Sequence, residues 1–390
     1  MLAISTTLVL ILGALTAIGP IATDIYLPSF PTLVQEFATN QAAVQRTLAA
    51  SFIGMALGQA VYGPLSDRFG RRLPLLFGMA LFALASVGCA LAPGIGTLTF
   101  LRLVQALGGC AGVVIARAIV RDVAQGPAML RLMTQLMMVF SLAPILGPSL
   151  GGLLLAHLGW RAVFWTLALY GAGIVAAIWF LLPESLPPEQ RQRGGATAML
   201  RTYLRLLTDR RFMAYALGGT LAMSGLFAYI AGSPFVFMHI HGISPQGFGL
   251  YFGLNAAGIM GVAQITGRLA ATMPPARILL WGQRAAVSAA LLLVLVAATG
   301  WGGFFALVLG LFCYMASLGA IMPVATALAM SAQGKVAGSA SAVIGVTQFG
   351  FGALAGLFVS LLGEGTALPM AMVMLLCSLS GLMLRLVLAR

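Results

Sequence analysis

The chain has 390 residues, 61% of them hydrophobic and only 7% Asp, Glu, Lys or Arg, with a mean hydropathy of +1.03. Soluble domains run near ~45–50% apolar, so a water-soluble globule is excluded and a bilayer is the solvent these residues fit. The net charge of +13 does not mark a nucleic-acid binder, because the basic residues are dealt out among loops rather than gathered on one patch.

Cutting the chain at its charged, Pro-rich and Gly-rich breaks leaves twelve apolar runs, at 5–27, 44–63, 73–92, 96–119, 132–157, 161–182, 212–236, 246–268, 277–297, 302–325, 337–362 and 366–386. Each is close to the roughly 20 residues that cross hydrocarbon as a helix. The first run has no Lys or Arg before Arg46, so it lacks the basic start of a secretory signal and reads as span 1. Asp24 lies about four residues inside its outer end, while Thr16 stands two turns earlier. Between spans 2 and 3, GPLSDRFGRR at 63–72 crowds Asp67, Arg68, Arg71 and Arg72 into six residues. Gly63 and Gly70 are expected to permit a tight turn there.

Span 4 carries Arg102 about six residues inside its outer end and Asp122 at its inner end. At 1.5 Å per residue, Asp24 and Arg102 reach the same depth within ~3 Å, and an ion pair between spans 1 and 4 is expected. An ionisable group inside a span costs at least ~2.5 kcal/mol to insert and marks function by default. Arg117 and Arg284 lie nearer the inner ends, where snorkelling accounts for a long basic side chain. Span 5 contains Gly147-Pro148-Ser149-Leu150-Gly151-Gly152. This satisfies G-x-S-x-G, but a nucleophile elbow needs a strand-turn-helix context and an Asp/His pair that the neighbourhood does not offer. The glycines instead form a small-residue face for close helix approach, and Pro148 bends the span.

Residues 183–211 are the one long polar stretch and separate six spans from six. In the second set, Tyr229 in span 7, Asn255 in span 8 and Gln348 in span 11 are candidate cavity residues, although buried amides serve equally as interhelical glue. His239 and His241 have no third ligand nearby for a metal, and the four cysteines show no C-x-x-C spacing. Sixteen Lys and Arg fall on one side of the predicted topology and two, Arg46 and Arg161, on the other. The positive-inside rule then puts both termini in the cytoplasm. GRLAATMPPARILLWG at 267–282 aligns without a gap on GPLSDRFGRRLPLLFG at 63–78, a duplicated unit of the kind common in transporters. The expected organisation is a bundle over 1–182, a cytoplasmic linker over 183–211 and a second bundle over 212–390.

GPLSDRFGRR at 63–72 resembles the signature loop of the major facilitator superfamily. TDIYLPSFP at 23–31, RLVQALG at 102–108 and APILGPSLGG at 143–152 resemble in particular the Bcr/CflA group of twelve-span drug:proton antiporters. The resemblance covers essentially the whole chain and implies an all-α membrane protein of two six-helix bundles. It implies efflux of small, mostly neutral antibiotics of chloramphenicol, bicyclomycin or sulfonamide type, driven by protons with no cofactor and no metal. In that reading Asp24 carries the proton beside Arg102. Asp67, Arg71 and Asp122 form a cytoplasmic latch that holds the outward-open state, and Gly147, Pro148, Gly151 and Gly152 form the antiporter motif. The expected setting is a bacterial inner membrane, with a monomer whose partners are drug, protons and lipid. Ala271 and Pro275 replace Asp67 and Arg71 in the second copy, so any latch there is degraded. Export of an endogenous sugar, nucleoside or dipeptide remains open beside drug efflux, as does a membrane-embedded enzyme.

Overall fold

A computed structural model of the chain describes residues 6–191, 196–331, 333, 337–363 and 365–388. Arg193, Lys335 and Arg390, three of the sixteen basic residues used for orientation, lie outside the described residues. The described chain is all helix and turn. A backbone in hydrocarbon must satisfy its own N–H and C=O groups, which an α-helix does within one segment.

Among the described residues, twelve helices are long and apolar enough to cross a membrane. In chain order the elements are α1 Thr6–Asp24, α2 Phe30–Glu36, α3 Gln41–Phe69, α4 Arg72–Ala90, α5 Ile95–Val123, α6 Gly126–Leu158 and α7 Trp160–Leu181. They continue with α8 Ala196–Thr208, α9 Arg210–Pro234, α10 Pro245–Leu269, α11 Pro275–Thr299, α12 Gly303–Met330, α13 Ala337–Leu361 and α14 Leu368–Leu388. All twelve expected runs are spans. The short helix α2 and the linker helix α8 are additions, because hydropathy windows sized for a span pass over helices of 7 and 13 residues.

One expected turn is corrected. Helix α3 continues through Gly63 to Phe69, with Pro64 inside it. The chain reverses at Gly70 alone, where φ is +87°, a left-handed value that favours glycine. Gly63 has no turn to make, and a methyl group added there would meet nothing within 4 Å.

An even number of spans puts the start of α1 and the end of α14 on one side, called here the termini side. In the first half α3 packs on α5, α4 on α5 and α7, and α1 on α6; in the second, α9 packs on α14 and α12 on α10 and α11. The halves meet through α3 against α13 and α6 against α10. Their far-side ends are in close contact. Phe30 and Phe235 have ring centroids 5.8 Å apart, Gln45 Nε2 donates to the Ala231 carbonyl at 3.2 Å, and Gly152 lies against the Pro245 backbone. At mid-depth Phe52 meets Phe227 edge-on at 4.5 Å.

Candidate functional site

Asp24 is the last residue of α1 and only 3% exposed. The helix runs into the turn at Leu27–Ser29, whose Pro28 supplies no backbone donor. The carboxylate makes no hydrogen bond and no ion pair with a described residue. Its flank is set by α6: a β-carbon built on Gly147 would lie 2.9 Å from Asp24 Cβ, and one on Gly151 would collide with the Ile25 carbonyl. Gly152 faces another way, onto Pro245 of α10. The three glycines therefore serve two neighbours, the end of α1 and the opposite half. Ser149 sits inside α6 against Gly249.

The expected Asp24–Arg102 ion pair is not formed. Arg102, 1% exposed, donates to the Ala22 carbonyl at 3.2 Å and to Gln105 Oε1. Its guanidinium lies 4.7 Å from the Tyr26 ring centroid and 5.8 Å from that of Phe164. Equal depth does not mean equal direction. The last carbonyls of a helix lack intrahelical donors, and Ala22 takes Arg102 as its donor, while desolvated aromatic faces attract the cation. Gln105 Nε2 continues the chain to Ser86 Oγ at 2.7 Å, and Tyr26 OH meets Thr47 Oγ1 at 3.0 Å. Arg102 thus ties the end of α1 to α4, α5 and α7, two residues from Asp24.

Tyr229 and Asn255 come together. Asn255 Nδ2 donates to Tyr229 OH at 2.9 Å, Tyr229 stacks on Phe252 at 5.4 Å, and Asn255 Oδ1 is buried without a partner. Tyr229 and Asn255 thus form a buried phenol–amide pair inside the second half. Gln348 does not join them. It lines a separate small cleft with Tyr215, Thr220 and Met322 inside the second half.

At the termini side the structure brings Asp67, Arg71 and Asp122 into one cluster. Arg71 Nε donates to Asp122 Oδ2 at 2.8 Å, and Nη1 donates to Ser66 Oγ at 3.0 Å and to Asp67 Oδ1. Burial opposes the Arg71 charge, but hydrogen bonds to Asp122 and Asp67 outweigh it and hold its pKa above the ordinary arginine value. Glu184 of the linker was missed by sequence reasoning. Its carboxylate accepts the backbone N–H groups of Arg71 at 2.8 Å and Arg72 at 3.2 Å, an acid at the start of α4 where helix dipole and free donors favour it. Ser185 Oγ donates to Asp122 Oδ2 at 2.9 Å. The signal was available, since Glu184 is one of only eight acids and follows span 6 directly.

The expectation that this cluster belongs to an outward-open state needs correction. It is intact here while the far-side ends are in contact. Its three charges lie within one half, on α3, the α3–α4 turn and α5, so tilting the halves against each other need not break it.

Residues 12–357 match the family model described as Major Facilitator Superfamily. The chain belongs to this superfamily. It is 38% identical over 379 residues to the "Uncharacterized MFS-type transporter YdgK" of Bacillus subtilis (strain 168), covering 96% of this chain and 93% of the relative. It is 29% identical to the "Bicyclomycin resistance protein homolog" of Haemophilus influenzae, with 95% and 92% covered, and 30% identical to the "Chloramphenicol resistance protein" of Pseudomonas aeruginosa, with 93% and 85% covered. Among solved structures, a bacterial homolog of the human lysosomal transporter Spinster, inward-facing and occupied, superposes with a TM-score of 0.75 at 15% identity, covering 98% of this chain and 96% of that one. The superfamily fold is that of transporters, and its members with resistance names match the Bcr/CflA resemblance.

Proposed function

We propose that this superfamily member is a drug:proton antiporter of a bacterial inner membrane, exporting small, mostly neutral antibiotics with both termini in the cytoplasm. The observation that carries this reading is Asp24, a buried acid at the end of α1 with no ion-pair partner among the described residues, beside the line where the two halves close. An acid held that way gains and loses a proton without breaking an ion pair, and it stands where the swing of the halves changes its access to water. Arg102 acts as a positioning residue that pins α1 beside it, and Tyr229 with Asn255 forms the polar wall opposite. One such acid sets about one proton per neutral molecule, an electrogenic exchange worth ~2.3 kcal/mol per 100 mV.

Everted vesicles test the reading. Adding chloramphenicol to vesicles that hold a respiration-driven proton gradient should dissipate it in wild type and leave it standing with Asp24→Asn. A gradient untouched by chloramphenicol, bicyclomycin and sulfonamides in wild-type vesicles would remove drug antiport. Its collapse by a sugar, nucleoside or dipeptide instead would establish metabolite export.

A further inference from the structure

We propose, deepening the transport reading and resting on it, that Arg117 recognises substrates that carry a two-oxygen acceptor group, a carboxylate, nitro or sulfonyl, at the termini-side seam between the halves. Arg117 lies six residues before the end of α5 at Val123, about 9 Å inside at 1.5 Å per residue. A snorkelling arginine carries its head to water and stays solvated along the way. Here Nε is buried without a hydrogen-bond partner, and the guanidinium makes no hydrogen bond or ion pair with a described residue. The groups that act on it electrostatically are the Cys110 thiol and Arg121, a second cation.

The acids are few enough to account for one by one, since the sequence holds eight. Asp67 and Asp122 are engaged by Arg71, Glu36 by Arg161, and Glu184 by Arg191 and the start of α4. Asp209 caps α9, and Asp24 is at the far end of its helix. Glu189 lies in the linker turn Pro188–Gln190, and Glu364 falls in the sequence between α13 and α14. Among the described residues, no acid forms an ion pair with Arg117.

Its direction follows from its helix stripe. Cys110, Val113, Arg117 and Arg121 fall at i−7, i−4, i and i+4, one side of α5. Cys110 Sγ donates to the Met55 carbonyl of α3 at 3.4 Å, and Val113 Cγ2 is 3.6 Å from a β-carbon built on Gly19 of α1. Arg121 Nη1 comes within 3.9 Å of a β-carbon built on Gly338 of α13, in the opposite half. The stripe therefore runs from the packed interior to the seam, with half-buried Arg117 between. A planar guanidinium fork holds two oxygens at once, which a lysine does not.

The test is equilibrium dialysis of the purified full-length protein with 1-naphthoate and with 1-naphthamide, its neutral counterpart. Wild type is expected to hold the carboxylate about tenfold or more tightly than the amide. Arg117→Gln should erase that preference and leave the amide affinity within about twofold, while Arg117→Lys keeps part of it. Equal binding of both probes by wild type, or an undiminished preference in either variant, overturns the proposal; if Arg117→Gln does not purify, wild type and Arg117→Lys decide. Chloramphenicol-driven proton release in vesicles is scored separately. Its failure with the carboxylate preference intact removes proton coupling and leaves the Arg117 site standing.

Discussion

At the scale of single residues, Asp24 and Arg102 share a depth but do different work. Asp24→Asn is nearly isosteric and removes only the proton site, so uphill drug export is expected to be lost while binding in detergent stays within about tenfold. Retained uphill export in energised vesicles would end the assignment. Arg102→Leu removes the donor to Ala22 and the cation between Tyr26 and Phe164. Hydrogen bonds from a charged donor are worth roughly 1.5–3 kcal/mol, so a loss of that order in stability is expected, read as a lower thermal midpoint of the purified protein. An unchanged midpoint with lost export would instead make Arg102 a direct partner of the proton. Both charges were legible in the sequence because polar residues in spans are rare. That they do not pair was not legible, because depth along a helix says nothing of the direction a side chain takes around it.

At the scale of helices, three glycines separate turn, contact and bystander. Gly70→Ala puts a side chain at φ +87°, against the Glu184 carboxylate and 2.9 Å from Arg191 Nη2, and is expected to cost about 1–2 kcal/mol from backbone strain alone. Gly151→Ala places a methyl group 2.8 Å from the carbonyl carbon of Ile25. Backbone does not yield as a side chain does, so about 1–3 kcal/mol is expected. Gly63→Ala meets nothing and gains helix propensity, for a neutral to slightly stabilising change of at most about 1 kcal/mol. Thermal unfolding of the three variants in one detergent checks the order, and a Gly63→Ala protein as unstable as Gly151→Ala would contradict the run of α3 through that position.

At the scale of the whole molecule, the charge cluster acts through what it holds. Glu184 and Ser185 tie the linker to Arg71, Arg72 and Asp122, and the linker leads through α8 to the second half. Helix α8 packs on α9 and α13 of the second half, so the linker joins the cluster to that half. With cysteines at Phe30 and Phe235, whose rings are 5.8 Å apart across the far side, crosslinking in membranes reports closure there. Asp67→Asn, Arg71→Ala and Glu184→Gln are each expected to change its yield by loosening the tie between the linker and the first half. The same yield in all three variants would remove the cluster from gating.

The sequence by itself determined the solvent, the twelve spans, the duplicated half and the charged loop, because each rests on composition and local spacing that a bilayer enforces segment by segment. It also marked Asp24, Arg102, Asp67, Arg71 and Asp122 as chemistry-bearing, since charge in so apolar a chain has few other reasons to be there. Only the tertiary structure decided which groups meet. Arg102 met an orphan carbonyl and two aromatic rings, Tyr229 met Asn255, Gln348 went to another cleft, Gly63 stayed inside a helix, and Arg117 met no acid among the described residues. Those outcomes depend on the rotation of each helix about its axis and on packing across the two halves, through contacts such as that of Gln45 with Ala231, 186 positions apart, that no local pattern encodes.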